Sequence, residues 1–303
     1  MKLRRRPEVT ILYRPRRPPY GGSNQFLLAL RGELRRRGLR VADDVGRSTR
    51  ACLLHAYLVD VERLRKRLPT GCRVVHRVDG PIGLYRGRDD GSDGRIVEIN
   101  QELAHATIVQ SRYSLEAHRE LGLELREPTI VPNAADPAFF FPAPARSPGR
   151  PVRLIATSWS DNPGKGGETL RRLARELDPA RYRLTFAGRA PVELPGANVV
   201  PPVGSRELGE LLRAHDVYLA PSLHDPCSNA LIEALQCGLP AVYARSGGHP
   251  ELVGEAGLGY DDDAEIPGLL DRLVDEHEER RMKISVASLA EVADRYLAVL
   301  GLG

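Results

Sequence analysis

The stretch from Asp216 to Glu251, DVYLAPSLHDPCSNALIEALQCGLPAVYARSGGHPE, constrains the fold more than any other part of the chain. Asp216 to Ser222 is a short apolar run between polar residues, the pattern of a buried strand. At Pro226 the chain turns into a helix that carries Ala230, Leu231, Ala234 and Leu235 toward a core, and Gly238 and Pro240 end it. Val242 and Tyr243 begin a second strand, and Gly247-Gly248 opens a second helix. Strand, helix and strand in so short a span form a crossover unit, which places the two strands parallel in one sheet.

The same alternation runs through the rest of the chain. Strands are expected at Val9 to Tyr13, Cys52 to Ala56, Arg73 to Val78, Ala106 to Gln110 and Thr129 to Val131. Between them, helices are expected at Ser23 to Arg37, Val61 to Arg67, Arg95 to Ala104 and Ser114 to Leu121. Val131 to Pro151 is rich in proline without helical period and reads as an interdomain linker, with Phe139 to Phe141 packing on a domain. Beyond it come strands at Val152 to Thr157 and Arg183 to Ala187 and near Val199. Helices follow at Gly167 to Leu177 and Arg206 to Ala214, one long charged helix at Ile266 to Val286 and a last one at Ser288 to Leu300. The fold class is therefore α/β with parallel sheets, whose ligands bind at the carboxyl ends of strands.

Several polar residues fall at such ends. Asp225 sits at the strand-to-helix turn of the Asp216–Glu251 stretch, and Glu233 follows two turns into the helix between Ile232 and Ala234. A carboxylate so close to apolar packing is costly unless something hydrogen-bonds it; a solvent-facing glutamate is the ordinary alternative. The amides of Ser228, Asn229 and Ala230, next to Cys227, fall in the first turn, where free N–H groups and the helix dipole favour an anion. Amides for a phosphate with a carboxylate for a ribose diol suit a nucleotide. In SWSDNPGKGGETL, Lys165 stands between glycines in a chain with only four lysines among its 44 basic residues. A compact ammonium suits a pyrophosphate, and the spacing is not that of a Walker A loop. Tyr20-Gly21-Gly22-Ser23-Asn24 is a second glycine turn opening a helix. His76 and Asp79 in VVHRVDGP, Ser111-Arg112, Arg189 and the polar loop Tyr85 to Arg95 complete the candidates; a lone histidine is more often structural than functional.

Asp225, Glu233, CGLP at Cys237 to Pro240 and GGHPE at Gly247 to Glu251 together resemble the signature of the retaining nucleotide-sugar glycosyltransferases of family 4 (glycosyl transferases group 1), whose fold is GT-B. The resemblance implies two Rossmann-like domains facing a central cleft, with the C-terminal helix packing back on the N-terminal domain. Boundaries are expected at 1–143 for an acceptor-side domain, 144–285 for a nucleotide-sugar domain and 286–303 for the returning helix. It further implies that Lys165 grips the donor diphosphate, Glu233 the ribose and Asp225 the donor sugar, with His76 reaching that sugar from the other domain. Gly22, Ser158, Arg189, Cys227, Ser228, Asn229 and Ala230 would line the donor site. The family usually has Glu where Asp225 stands, and a common Gly is replaced by Pro226, which removes one N–H.

The expected reaction transfers a sugar from a nucleotide-diphosphate-sugar to a hydroxyl on a glycan, a lipid-linked or a small acceptor, as in polysaccharide or glycoconjugate synthesis. The nucleotide sugar is a co-substrate; no other cofactor and no metal is expected. The rivals are a non-catalytic nucleotide-sugar or glycan-binding protein that kept the fold, and a GT-B nucleotide-sugar epimerase.

Composition narrows the setting. The 303 residues suffice for two domains. No apolar run approaches a membrane span, and MKLRRRPEVTILY lacks the long apolar stretch of a secretory signal, so a cytoplasmic location is expected. Cys52, Cys72, Cys227 and Cys237 have no metal-ligand spacing. Residues 1–145 carry 26 Lys and Arg against 17 Asp and Glu, whereas the remainder is acidic. Most of this reflects a bias toward arginine. A peripheral role at an anionic membrane face is the functional alternative, through Arg4, Arg5, Arg6, Arg16, Arg17, Arg35, Arg36 and Arg37. Nucleic acid is not an expected partner.

Overall fold

The computed structural model of the chain describes residues 8–13, 16–17, 20–55, 59–88, 90–160 and 162–303. Ala56, Arg4, Arg5 and Arg6 lie outside them. The chain forms two compact units. One runs to Arg16, resumes from Phe26 to Asn133 and ends with Ser288–Gly303; the other takes Arg17–Gln25 and Ala134–Ala287. The break after Asn133 differs from the boundary expected at residue 143, and the second unit claims the glycine turn near the N-terminus.

The first unit contains β1 (Glu8–Leu12), most of α1 (Gly22–Arg36), β2 (Arg40–Ala42), β3 (Thr49–Leu54), α2 (Val61–Arg67), β4 (Arg73–Arg77), α3 (Ile82–Arg86), α4 (Ser92–Leu103), β5 (Ala106–Val109), α5 (Arg112–Glu120) and β6 (Pro128–Ile130). Its strands pair in parallel in the order β2-β1-β3-β4-β5-β6. Strands covered by helices on both faces must be apolar throughout, and Ala51 to Leu54 and Ala106 to Val109 are buried without alternation. Periodicity did not reveal β2 or α3, which are three and five residues long. The polar stretch expected as one loop from Tyr85 to Arg95 instead ends α3 and begins α4. Asp93 explains the tight connection, because its carboxylate accepts the backbone N–H groups of Ile82 and Gly83.

The second unit holds β7 (Val152–Ser158), α6 (Gly167–Glu176), β8 (Tyr182–Gly188), β9 (Asn198–Val200), α7 (Ser205–Arg213), β10 (Val217–Ala220), α8 (Asn229–Gln236), β11 (Ala241–Ala244), α9 (His249–Val253), β12 (Gly257–Tyr260), α10 (Ile266–Asp275) and α11 (His277–Met282). Its parallel order is β12-β11-β10-β7-β8-β9. From β7 the chain winds outward through β8 and β9, then returns to β10 on the other side of β7. The β7–β10 junction is thus a switch point, and in such sheets ligands bind there, outside the carboxyl ends of the strands.

Two expectations change here. The long helix from Ile266 to Val286 is broken at Glu276, because His277 turns inward and its Nε2 donates to the Asp216 carbonyl at 2.9 Å. The proline-rich segment after Asn133 is also not a free tether. Phe140 is buried with Leu212, Leu231 and Leu235, and Arg281 donates to the Ala143 carbonyl at 2.6 Å. The last helix, α12 (Leu289–Val299), belongs to the first unit, where Leu289, Val292, Ala293 and Tyr296 are buried. It starts with a capping box in which Ser288 and Glu291 satisfy each other's backbone N–H groups.

Candidate functional site

Lys165 is carried by a turn that only its sequence permits. Asn162 accepts the Gly164 N–H, a short 3₁₀ turn spans Pro163–Lys165, and Gly166 follows in the left-handed region at φ 73°. A Cβ on Gly166 would stand 2.5 Å from the Pro221 carbonyl oxygen, so the loop after β7 lies directly on the loop after β10. The Leu223 N–H donates to the Gly164 carbonyl at 2.8 Å and seals this contact. As a result Lys165 Nζ sits 2.7 Å from Asp225 Oδ2, across 60 residues of sequence.

Asp225 is held from several sides. Its Oδ1 accepts the Cys227 N–H at 3.2 Å, and its backbone carbonyl accepts the Gly248 N–H at 2.8 Å. Gly247, at φ 65°, is there because a Cβ would meet the Asp225 carbonyl oxygen at 2.3 Å. Ser222 Oγ lies 3.1 Å from His249 Nε2, and Ser246 Oγ accepts the His224 N–H. Burial by itself would raise the Asp225 pKa, but Lys165, then His249 and the bonds to Lys165 and Cys227, hold it below the usual carboxylate range.

Glu233 is the opposite case. It lies just over one turn into α8, closer to the helix start than expected, and is 8% exposed. Among the described residues its carboxylate makes no hydrogen bond or ion pair, and burial pushes its pKa up to about 8. The nearby Tyr218 hydroxyl, 3.0 Å from Thr157 Oγ1, is pushed up to about 12 by burial, and Glu233 adds to that shift while Lys165 opposes it. Lys165, Asp225 and Glu233 therefore share one electrostatic neighbourhood at the switch point.

Ser228 is the cap of α8 rather than part of its first turn, its Oγ accepting the Leu231 N–H at 3.4 Å. Cys227 is buried, and its amide is already given to Asp225. The amides of Asn229 and Ala230 remain as the ones that by position lack an intrahelical acceptor. Gly22, part of the second unit, abuts them: a Cβ there would stand 2.7 Å from Asn229 Cβ. Ser158 ends β7 and exchanges hydrogen bonds with Ser160, while its carbonyl accepts the Arg189 N–H. The Arg189 guanidinium lies over the Trp159 ring at 4.6 Å, and Tyr20 meets the same indole at 5.3 Å. Neither this stack nor the Ser222–His249 pair was legible in advance; the glycine turn and the GGHPE motif were the only signals that pointed there.

His76 is corrected. It lies inside β4, one residue before its end, but is 2% exposed, and its Nδ1 faces the Asn100 amide at 3.4 Å. Burial, then His55, pushes its pKa down to about 4, so it is a neutral core histidine. The polar hub at that sheet end is Arg77, which bonds His55, Asp79, Asn133 and the Tyr296 hydroxyl. Ser111 is likewise structural, capping α5 by accepting the Ser114 N–H. Among the described residues there is no group of three or more side chains that could hold a metal ion.

The comparisons with known proteins bear on the fold and on the second unit. Residues 155–276 match the family model described as glycosyl transferases group 1. That span runs from within β7 to the end of α10 and contains every side chain of the switch-point cluster. D-inositol 3-phosphate glycosyltransferase of Corynebacterium efficiens is 28% identical over 198 residues, 61% of this chain and 43% of that protein. The chain spans less than half the length of the curated relatives it matches. Among solved structures, sucrose-phosphate synthase from Thermosynechococcus elongatus superposes with a TM-score of 0.70 at 16% identity, covering 98% of this chain and 95% of that one. Anabaena HepE in complex with UDP-glucose gives 0.69 at 14% identity, covering 97% and 96%. The fold is that of GT-B glycosyltransferases.

Proposed function

We propose that the chain is a glycosyltransferase that moves a sugar from a nucleotide-diphosphate-sugar to a hydroxyl acceptor with retention of anomeric configuration. The observation that carries this reading is the convergence, at the β7–β10 switch point, of the Lys165 ammonium, the open amides of α8 and a buried carboxylate with no partner among the described residues. Charge builds on the diphosphate as the glycosidic bond breaks; Lys165 and the amides of Asn229 and Ala230 stabilise it there, in a site already oriented for it. Glu233 has no hydrogen-bond donor among the described residues, and a ribose diol supplies two. Asp225 keeps a lone pair on each oxygen for a sugar hydroxyl beside the phosphate. The leaving phosphate oxygen takes the acceptor's proton, so the reading asks for no protein base. The match to the group 1 family and the UDP-glucose complex of a structural neighbour support the donor class.

Calorimetry with UDP, GDP and ADP and their sugars, followed by turnover assays with hydroxyl acceptors, tests this. Release of free nucleotide that depends on acceptor is expected, with Lys165→Ala and Glu233→Ala each removing nearly all of it. Full rates in either variant refute the assigned roles, and binding without turnover selects a non-catalytic nucleotide-sugar-binding protein.

A further inference from the structure

The Lys165–Asp225 pair bears on more than donor binding. Asp225 has a one-carbon arm, its loop is pinned to Gly164, Ser246 and Gly248, and its two carboxylate oxygens already take Lys165 Nζ at 2.7 Å and the Cys227 amide at 3.2 Å. It cannot swing away when a ligand arrives. The ammonium, with three donors, can hold Asp225 and a phosphate oxygen together. A diphosphate at Lys165 therefore meets a cation whose charge is already cancelled, with a second negative group beside it.

We propose that Asp225 is a built-in counter-ion that weakens the site's hold on the nucleotide diphosphate and so favours its departure after transfer. This rests on the nucleotide-diphosphate reading above. Oppositely charged groups in contact at a half-buried site interact strongly, because water screens them little. Uncovering one full positive charge within contact distance of a phosphate is therefore expected to tighten binding by about tenfold or more. Asp225→Asn is the informative change, since its one amide oxygen still accepts from Lys165 while the charge is lost, together with the bond from the Cys227 N–H.

The test is calorimetric binding of UDP, GDP and ADP, with inorganic pyrophosphate as a probe that reports charge alone. The wild type is compared with Asp225→Asn, Asp225→Ser, Asp225→Glu and Lys165→Ala. Asp225→Asn and Asp225→Ser are each expected to tighten pyrophosphate and the preferred nucleotide by about tenfold, with a steeper salt dependence. Asp225→Glu keeps the charge and is expected to stay within about threefold of wild type. The serine variant gives the same reading should the asparagine variant fail to fold. Unchanged or weaker binding in both, with Lys165→Ala still losing affinity, overturns the counter-ion role and leaves the donor site intact. If no nucleoside diphosphate binds the wild type, or Lys165→Ala changes nothing, the nucleotide-diphosphate reading itself fails, and the counter-ion role with it.

Discussion

Glu233 and His76 are two ionisable side chains buried in the same kind of sheet-and-helix packing, with opposite consequences. His76 gives up its charge at no cost near neutral pH and finds Asn100. Glu233 finds no partner among the described residues, and the folded protein keeps its proton up to about pH 8 where an ordinary glutamate releases it near 4.5. The folded state thus binds the proton more tightly than the unfolded chain, so stability is full below the unfolded value and declines as pH rises through that window. Glu233→Gln is expected to remove this slope, melting higher than wild type at pH 9 and close to it at pH 5. A ligand diol that donates to the carboxylate reverses the preference, so nucleotide binding at pH 7 should release a proton in the wild type and none in Glu233→Gln. Titrations in buffers of different ionisation enthalpy read that directly.

At the scale of elements, the position of Lys165 depends on a turn rather than on a helix or strand. Gly166 is the residue that lets the β7 loop touch Pro221, and any side chain there meets both a left-handed backbone and a carbonyl. Gly166→Ala is expected to cost roughly 1–2 kcal/mol or more in stability. It should also weaken nucleotide binding, because relieving the clash lifts the Lys165 turn off Pro221 and displaces the ammonium from its place beside the α8 amides; urea unfolding and calorimetry check the two parts separately. The elements that periodicity missed were short ones, among them β2, α3 and β12, which offer too few residues to display a period. The break at Glu276 was missed for another reason. The sequence there stays helical in pattern, and only the bond from His277 to the Asp216 carbonyl ends it.

At the scale of the molecule, the arginines of α1 find partners within the first unit. Arg31 pairs with Asp43, Arg36 with Glu33, and Arg37 with Glu33 and with Asp294 of α12. One of these pairs, Arg37 with Asp294, holds the last helix, and Arg35 donates to the Val41 carbonyl. Arg77 completes the attachment from inside: its side chain is fully buried, and its Nε donates to the Tyr296 hydroxyl at 3.2 Å. Tyr296→Phe leaves a buried cation one acceptor short, an expected loss of about 1–3 kcal/mol that chemical denaturation of the whole chain would report. The mutation touches no side chain of the switch-point cluster, so nucleotide affinity should hold.

Local pattern was enough to determine the alternation of strands and helices, the parallel sheets that follow from it, and the placing of Lys165, Asp225 and Glu233 near the carboxyl ends of strands. Those features depend on residues a few positions apart. Only the tertiary structure decided which acid is neutralised and which has no partner among the described residues, that His76 is sealed in a core, and that the proline-rich segment and the last helix adhere to particular units. Partners and water exclusion come from groups such as Lys165 and Asp225, 60 residues apart in the chain, and no local period encodes a contact of that range.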